Sequence, residues 1–432
     1  MTQPRRSHTT VGRLTLFTAL AVLATAMPHS ALAAGELPGV QPTAETPAVY
    51  DDEAGGNADA DDPAIWRNPA DPARSLVVAT LKEGGLRVYD LDAREVQSVP
   101  APEAPGPDDA PGRFNNVDLV HGMKVGSRKS DLAVTSDRGS DRLRIYRVDG
   151  GRSHTPLTDI TDPSAPPIFS SSQEEINEQR TAYGLATWTD PASKRSYAVV
   201  SQRERTALRL LELTAGADGT VSYRTVRTLK LPAEFKLPNG GTWTPCGEPG
   251  EQPQVEGMVI DPETGTLYAG QESVGIWRLG ADLKGTPKLI DKVREYGVPG
   301  TYDEETEECA PGEDPGYGGK RLSADVEGLT LIHRERGDDY LLASSQGDNS
   351  FAAYDREKNG YEGGFKVTAA SETLDGTEES DGAAVLNEPL GRKYPNGLLV
   401  VQDGADKPGE PDRDATNFKF VDLKRVLHAL DD

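Results

Sequence analysis

Six polar residues at recurrent positions are the feature of the sequence that most directly suggests chemistry. Each opens a short segment that continues with small or apolar residues, and four of the six are carboxylates. Converging carboxylates repel one another unless a cation neutralises them, and oxygen donors without His or Cys favour Ca²⁺ or Mg²⁺. An irregular set with many members favours Ca²⁺, so the pattern predicts a calcium site. The six residues are Asp62, Asn116, Tyr183, Glu256, Glu327 and Asp381.

A second polar set follows the next predicted strand of each segment. Three consecutive units carry cations there, and the next three carry acids or amides. Arginine suits phosphate because its planar guanidinium binds two oxygens at once. The two sets together predict a polyphosphorylated substrate, with calcium bridging its oxygens to the carboxylates. Taken singly, each residue has an ordinary alternative as a turn cap or a solvated charge. The second set is Lys82, Arg138, Arg203, Glu272, Gln346 and Gln402-Asp403.

The elements that position these residues recur six times along the chain. Each unit has a polar-led strand, a buried-looking strand and a strand with an aromatic or apolar anchor, at intervals of about 57 to 77 residues. A fourth strand follows most anchors. Short strands in units of four, separated by turn residues, predict an all-β fold, a six-bladed β-propeller. The anchors are Tyr89, Tyr146, Leu211, Trp277, Tyr354 and Val421.

The last unit lacks a fourth strand after its anchor, because residues 422–432 look helical. An unpaired edge is a hazard, so we expect an N-terminal strand, Thr46–Tyr50, to complete the sixth blade and close the ring. The alternative is a two-domain β protein with separate sandwiches, but no linker divides the chain.

The N-terminus predicts export. Arg5, Arg6 and Arg13 precede an uncharged run from Leu14 to Met27, and Ala31-Leu32-Ala33 fits a cleavage site. Residues 1–33 therefore read as a secretory signal peptide, followed by a linker at 34–45 and the propeller domain at 46–432. We expect a secreted monomer. A net charge of −24 argues against nucleic acid or an anionic membrane as partner.

Two insertions carry the only two cysteines of the chain. Pro232–Gln254 contains Cys246, and Arg294–Arg321 contains Cys309. In an oxidising compartment the two thiols are expected to pair, tying both loops over one side of the ring; the alternative is two free thiols.

The ordered motifs resemble those of the β-propeller phytases, or alkaline phytases, over roughly Thr46 to Leu427. The resemblance implies a six-bladed propeller, calcium dependence and hydrolysis of phytate, which is inositol hexakisphosphate. The motifs are Asp61-Asp-Pro-Ala-Ile-Trp66, Asn116-Val-Asp118, Tyr183-Gly184, Glu256-Gly-Met258, Ala324-Asp-Val-Glu-Gly-Leu329, Ser344-Ser-Gln-Gly347, Asp375-Gly376, Ser380-Asp-Gly382 and Asn417-Phe-Lys419.

The resemblance also implies roles for individual residues. Lys82, Arg138 and Arg203 resemble the phosphate-binding cations, and Tyr183 a residue that orients the scissile phosphate or the attacking water. Glu272 resembles a further acidic member of the site, and Asp62 with the Val117 region a structural calcium site. The expected ligands of the catalytic calcium cluster or its water shell are Asp61, Glu256, Asp325, Glu327, Gln346, Asp375 and Asp381.

Three departures from the family pattern stand out. Glu83 follows Lys82 where a second Lys is common, Arg203 stands where Lys is common, and the two cysteine-bearing insertions are additions.

The implied reaction is direct hydrolysis by calcium-activated water, releasing inorganic phosphate and lower inositol phosphates, with several calcium ions and calcium phytate as the substrate form. Two other readings of the sequence remain open. One is a calcium-dependent propeller lactonase or esterase, although a row of three cations argues against it. The other is a non-catalytic binding propeller in which calcium is only structural.

Overall fold

A computed structural model describes residues 36–53, 57–151, 154–306, 308–333, 339–407, 409–410 and 413–431. The expected signal peptide, residues 1–33, lies outside the described residues. Within them, no helix is both long enough and apolar enough to cross a bilayer.

The described residues form 30 strands and two α-helices. Three short N-terminal strands come first: β1 (Gly39–Val40), β2 (Ala44–Glu45) and β3 (Val49–Tyr50). Blade 1 contains β4 (Pro63–Trp66), β5 (Leu76–Thr80), β6 (Leu86–Tyr89) and β7 (Glu95–Val99). Blade 2 contains β8 (Phe114–Val125), β9 (Arg128–Asp137), β10 (Arg142–Val148) and β11 (Leu157–Asp159).

Helix α1 (Gln173–Asn177) follows and leads to the next blade. Blade 3 contains β12 (Ala182–Thr189), β13 (Ser196–Gln202), β14 (Ala207–Ala215) and β15 (Val221–Lys230). A hairpin of β16 (Phe235–Lys236) and β17 (Thr242–Trp243) precedes blade 4, which contains β18 (Val255–Asp261), β19 (Thr266–Gln271), β20 (Gly275–Gly280) and β21 (Lys288–Lys292).

A second hairpin, β22 (Gly300–Asp303) and β23 (Glu308–Pro311), precedes blade 5. Blade 5 contains β24 (Leu329–Ile332), β25 (Tyr340–Ser345), β26 (Ser350–Asp355) and β27 (Tyr361–Val367). Blade 6 contains β28 (Ala383–Leu386), β29 (Leu398–Asp403) and β30 (Ala415–Asp422), and helix α2 (Leu423–Asp431) ends the described chain.

The architecture is the predicted six-bladed propeller, and the N-terminus closes its ring. Each blade is an antiparallel meander with its strands in chain order. In blade 6 the outer positions belong to β2 and β3, which both pair antiparallel with β30. The closing segment thus begins at Ala44 and not at Thr46. The expected linker at 34–45 also needs correction, because β1 pairs in parallel with β27 of blade 5 and β2 belongs to blade 6.

The core lies between neighbouring blades. All six anchors are buried, with exposed fractions from 0% for Leu211 and Val421 to 6% for Trp277. Their strands are apolar on both sides because each sheet packs face to face against the next one. For example, one apolar cluster joins Val78 and Val88 of blade 1 to Ala133 and Tyr146 of blade 2.

Glycines at the start of the inner strands allow the blades to meet closely at the axis. A Cβ on Gly184 would lie 2.1 Å from the Glu256 carbonyl oxygen, and one on Gly257 only 1.2 Å from that of Glu327. Gly328 and Gly382 face the backbones of Asp381 and Asp62 in the same way. Since each of these glycines follows a polar residue of the first set, close contact between strands brings the polar side chains together.

The two insertions pack on each other and are joined covalently. Cys246 and Cys309 form a disulfide with Cα atoms 6.1 Å apart. Trp243 of the first insertion stacks obliquely on Tyr296 of the second at 4.7 Å, and its indole N–H donates to the Val298 carbonyl at 2.8 Å. The insertions therefore form one structural unit beside blades 3, 4 and 5.

Candidate functional site

Three buried glutamates form the centre of the site, and we call them the central triad: Glu256, Glu272 and Glu327. One carboxylate oxygen of each lies within 4.8 Å of the others. Glu256 is the second residue of the inner strand β18, Glu327 precedes the inner strand β24, and Glu272 follows β19 in the turn of blade 4. Residues from both predicted sets therefore meet at one end of the propeller.

Neutral hydrogen-bond donors fix these carboxylates. The Tyr183 hydroxyl donates to Glu256 at 2.7 Å, and the Gln254 amide donates to Glu272 at 3.0 Å. The Gln346 amide donates to Asp381 at 2.7 Å and to Glu327 at 3.2 Å. Oε1 of Glu272 is buried without a hydrogen-bond partner among the described residues. The triad therefore has ordered geometry and unused acceptor capacity.

Electrostatics disfavour the ionised form of every member of the triad. Burial, followed by repulsion from the neighbouring carboxylates, raises the pKa of Glu256 and Glu272 well above the ordinary value. The pKa of Glu327 is raised for the same reasons. Asp325 lies beside the group, and burial raises its pKa to about 6, with a contribution from Glu295. A bound cation would reverse these shifts.

Asp61 and Asp381 lie next to Lys82. Asp61 is 1% exposed, accepts a hydrogen bond from the Asn115 amide at 3.1 Å, and has its pKa raised by burial and by Glu256. Lys82 pairs with Asp59 and lies 3.8 Å from Asp381. Burial alone would lower the pKa of Lys82, but the surrounding carboxylates outweigh burial and raise it.

We call the axial opening of the propeller at the central triad the mouth. Across the mouth from the triad, three arginines form an arginine cluster: Arg113, Arg138 and Arg203. Burial, then Arg203 and Arg113, lower the pKa of Arg138 to about 10. The Nε atoms of Arg138 and Arg113 are buried without hydrogen-bond partners among the described residues. Guanidinium groups held together in this way offer a site for an anion with several oxygens.

Asp62 and Val117 lie below this mouth, on the central channel. Oδ2 of Asp62 accepts a hydrogen bond from the Val117 amide at 3.0 Å, and burial raises the pKa of this carboxylate. Both residues line a cavity of about 420 Å³ that Glu256, Glu327 and Asp381 also line. The two residues are therefore in contact, and their calcium-binding role stays a prediction.

Asp375 is placed in a different cluster from the other expected ligands. It surrounds the Lys419 ammonium group together with Glu45, Asp403 and Asp406, and we call these five residues the Lys419 cluster. Lys419 is fully buried, and its distances to Glu45, Asp403 and Asp406 are 2.7, 3.0 and 3.1 Å. The other oxygen of Asp375 accepts from the Lys407 amide at 2.7 Å.

Sequence reasoning missed several residues that shape the site. Arg113 pairs with Glu83 at 3.5 Å and belongs to the arginine cluster. It lies three positions before Asn116, so a search just upstream of each inner strand would have found it. Gln254 lies two positions before Glu256 and would have been found by the same search. Asp59 reaches Lys82 from the segment before blade 1, and no local pattern indicates that contact.

The fold and this mouth define a class of protein: a β-propeller whose axial opening combines a buried carboxylate group with a row of cations. A family model described as Phytase matches residues 8–237 and 301–432. A 3-phytase from Bacillus subtilis (strain 168) is 32% identical over 385 residues, which cover 88% of this chain and 83% of that protein. The chain belongs to the phytase family. The internal stretch outside the family match, 238–300, contains Cys246, most of the first insertion and blade 4 with Glu256 and Glu272.

Proposed function

We propose that this protein is a secreted, calcium-dependent phytase that hydrolyses phosphate monoesters of inositol hexakisphosphate. The observation that carries the proposal is that two groups at the mouth, one acidic and one cationic, both lack partners for part of their charge or hydrogen-bonding capacity. The central triad has carboxylates without a paired lysine or arginine among the described residues, and the arginine cluster has buried Nε atoms without acceptors. A polyphosphate with bound calcium satisfies both groups at once.

The residues of the triad fit calcium. All its donors are carboxylate oxygens, the hard ligands that Ca²⁺ prefers, and Oε1 of Glu272 is a buried acceptor without a partner. Burial, followed by repulsion from neighbouring carboxylates, raises the pKa of Glu256, Glu272 and Glu327, and a bound cation would favour their ionised forms. We propose that the calcium ligands, and the residues that orient those ligands, are the three members of the triad together with Asp61, Asp325, Gln346 and Asp381.

Calcium bound there would activate water and neutralise charge on the phosphoryl oxygens. The chain's own contribution is positioning. Arg138 and Arg203 would bind non-bridging oxygens of the scissile phosphate, and Lys82 would approach the same group from blade 1. Tyr183, which donates to Glu256, fixes one carboxylate and lies where it could orient the phosphate. Most of the rate enhancement would come from such fixed charges, since phosphoryl transfer requires little covalent chemistry from the protein.

The arginine cluster also supports a preference for substrates with neighbouring phosphates. Arg113 adds another guanidinium group beside Arg138, so a second phosphate on the inositol ring would have a charged partner. A simple monoester forfeits that contact. We propose that the monomeric enzyme takes phytate as its calcium complex, because calcium offsets repulsion between the phosphates and the acidic side of the mouth.

Phosphate release from phytate by the mature protein tests the proposal. The assay is run with added calcium and with excess chelator, and an aryl phosphate serves as the monoester control. We expect calcium-dependent release from phytate and much weaker release from the aryl phosphate. Undiminished release after thorough chelation would contradict the calcium requirement, and no release at any calcium concentration would contradict the enzymatic function.

A further inference from the structure

Gln254 lies at the boundary between the cationic and the acidic halves of the mouth. Its side-chain carbonyl accepts a hydrogen bond from the Glu204 amide at 2.7 Å, and its side-chain NH₂ donates to Oε2 of Glu272 at 3.0 Å. Glu204 follows Arg203 directly and forms an ion pair with it. One amide therefore connects the turn that carries a phosphate-binding cation with a carboxylate of the central triad.

The contact with Gln254 determines which oxygen of Glu272 remains available. Oε2 is occupied by the amide, and Oε1 is the oxygen without a partner. The backbone N–H of Glu272 also donates to the Gln254 carbonyl oxygen at 3.2 Å, so both ends of Glu272 are held by the same residue. Glu272 is buried, with 9% of its surface exposed.

The insertion that ends at Gln254 is itself tightly anchored. The Gln271 amide donates to the carbonyl oxygens of Pro253 at 2.7 Å and Pro232 at 3.1 Å, close to the two ends of the insertion. Arg205 donates to the Gly250 carbonyl at 3.1 Å, and the Gln252 amide donates to the Glu204 carbonyl at 3.1 Å. The disulfide of Cys246 fixes the far side of the loop.

A cavity of about 240 Å³ lies between this loop and the mouth. Arg203, Glu272 and Asp325 line it from the propeller, and Cys246, Glu251 and Gln254 line it from the insertion. The insertion is thus a wall of the site.

We propose that Gln254 is a positioning residue that turns Oε1 of Glu272 toward the calcium ion of the central triad. It also holds Arg203 in a fixed position relative to Glu272. The inference rests on the proposed function, because it assigns the residue a role in calcium binding. A glutamine suits this place since its amide offers one donor and one acceptor without charge. A glutamate could not donate to Glu272 and would repel it, and an apolar residue would leave Oε2 and the Glu204 amide unpaired.

Calcium titration calorimetry tests this role with a readout other than activity. Gln254→Met keeps the length of the side chain and removes both hydrogen bonds. The matched control is Gln97→Met, because Gln97 likewise makes one donor and one acceptor contact, with Leu157 at the boundary of blades 1 and 2. We expect Gln254→Met to weaken calcium binding about tenfold or more, the usual effect of losing a residue that orients a metal ligand. Gln97→Met should bind calcium as the unaltered protein does.

A double-mutant cycle distinguishes positioning through Glu272 from general destabilisation. In a Glu272→Gln background, Gln254→Met should cause no further loss of calcium affinity, since its effect has to pass through Glu272. Equal calcium affinity of Gln254→Met and the unaltered protein would overturn the inference. So would a Gln254→Met protein that does not fold, or additive effects in the cycle. If the unaltered protein binds no calcium, the proposed function itself fails, and the inference fails with it.

Discussion

Two acidic clusters in this propeller differ in how their charge is compensated. In the Lys419 cluster, four carboxylates surround one ammonium group, which is fully buried between the N-terminal strand and blade 6. In the central triad, the nearest hydrogen-bond partners are a tyrosine hydroxyl and two amides. The Lys419 cluster contains its own cation, whereas the central triad has no ion pair with a lysine or arginine among the described residues.

The difference separates a structural role from a chemical one. The Lys419 cluster joins residues 45, 375, 403, 406 and 419, so its ion pairs connect the N-terminal strand to blade 6. In the central triad, burial and repulsion between neighbouring carboxylates raise the pKa of all three members, so their ionised forms are disfavoured. We propose that a single neighbouring lysine decides whether such carboxylates stabilise the fold or bind a metal ion.

Removing a charge from the triad should have the largest effect. We expect Glu256→Gln to lower phosphate release from phytate by at least about 100-fold, because the site loses a proposed calcium ligand. Phosphate release at saturating calcium measures this. Glu362→Gln, on the exposed part of β27, is the matched control and should retain full activity. Full activity of Glu256→Gln would remove the triad from the mechanism.

Removing Lys419 should make the Lys419 cluster resemble the central triad, because its carboxylates would then lack a neighbouring cation. Lys419→Met leaves four carboxylates uncompensated, and we expect it to lower the free energy of unfolding by about 3–5 kcal/mol. Denaturant unfolding with and without calcium measures the change. Added calcium should recover more stability in Lys419→Met than in the unaltered protein, since the cluster then needs a cation. A variant as stable as the parent would show that the lysine charge contributes little.

Removing the disulfide should affect the triad and leave the Lys419 cluster intact. A Cys246→Ser, Cys309→Ser protein is expected to lose about 2–4 kcal/mol of stability, because the cysteines are 63 residues apart and close a long loop. Half-saturation by calcium should shift to higher concentration, since the loop that carries Gln254 is less constrained. Unfolding curves and calcium titrations check both effects, and unchanged values in both would contradict the bracing role of the insertion.

The smallest expected effect is a dependence of calcium stabilisation on pH. The folded-state pKa values of the triad and of Asp325 are raised, to about 6 for Asp325. In calcium-free protein these groups contribute stability that is present below their unfolded values, near 4, and lost as pH rises through the folded values. Calcium prevents that loss, so the calcium-induced rise in Tm should be larger at pH 8 than at pH 5. Each kcal/mol of unfolding free energy that calcium restores should raise Tm by about 2 °C. An equal rise at both pH values would contradict this.

The fold was predictable because its signals are local and repeated. Anchors such as Tyr89 and Trp277 recur with the blades, and the polar residue that opens each inner strand marks the axis. The start of the ring-closing strand at Ala44 was not predictable, because a two-residue strand has no pattern of its own. The grouping of Asp375 with Lys419 was missed for a different reason. It depends on side chains from segments that are distant in sequence, and the family resemblance placed Asp375 with the calcium ligands.

The position of calcium in a crystal structure of this protein would test the role of the central triad most directly. Crystals grown or soaked in calcium would be examined for anomalous scattering at the mouth of the propeller. The account predicts an ion within about 2.3–2.6 Å of oxygens of Glu256, Glu272 and Glu327, with Oε1 of Glu272 among its ligands. A triad that stays empty while calcium binds elsewhere, or a triad filled by an ordered lysine or arginine side chain, would contradict the central claim.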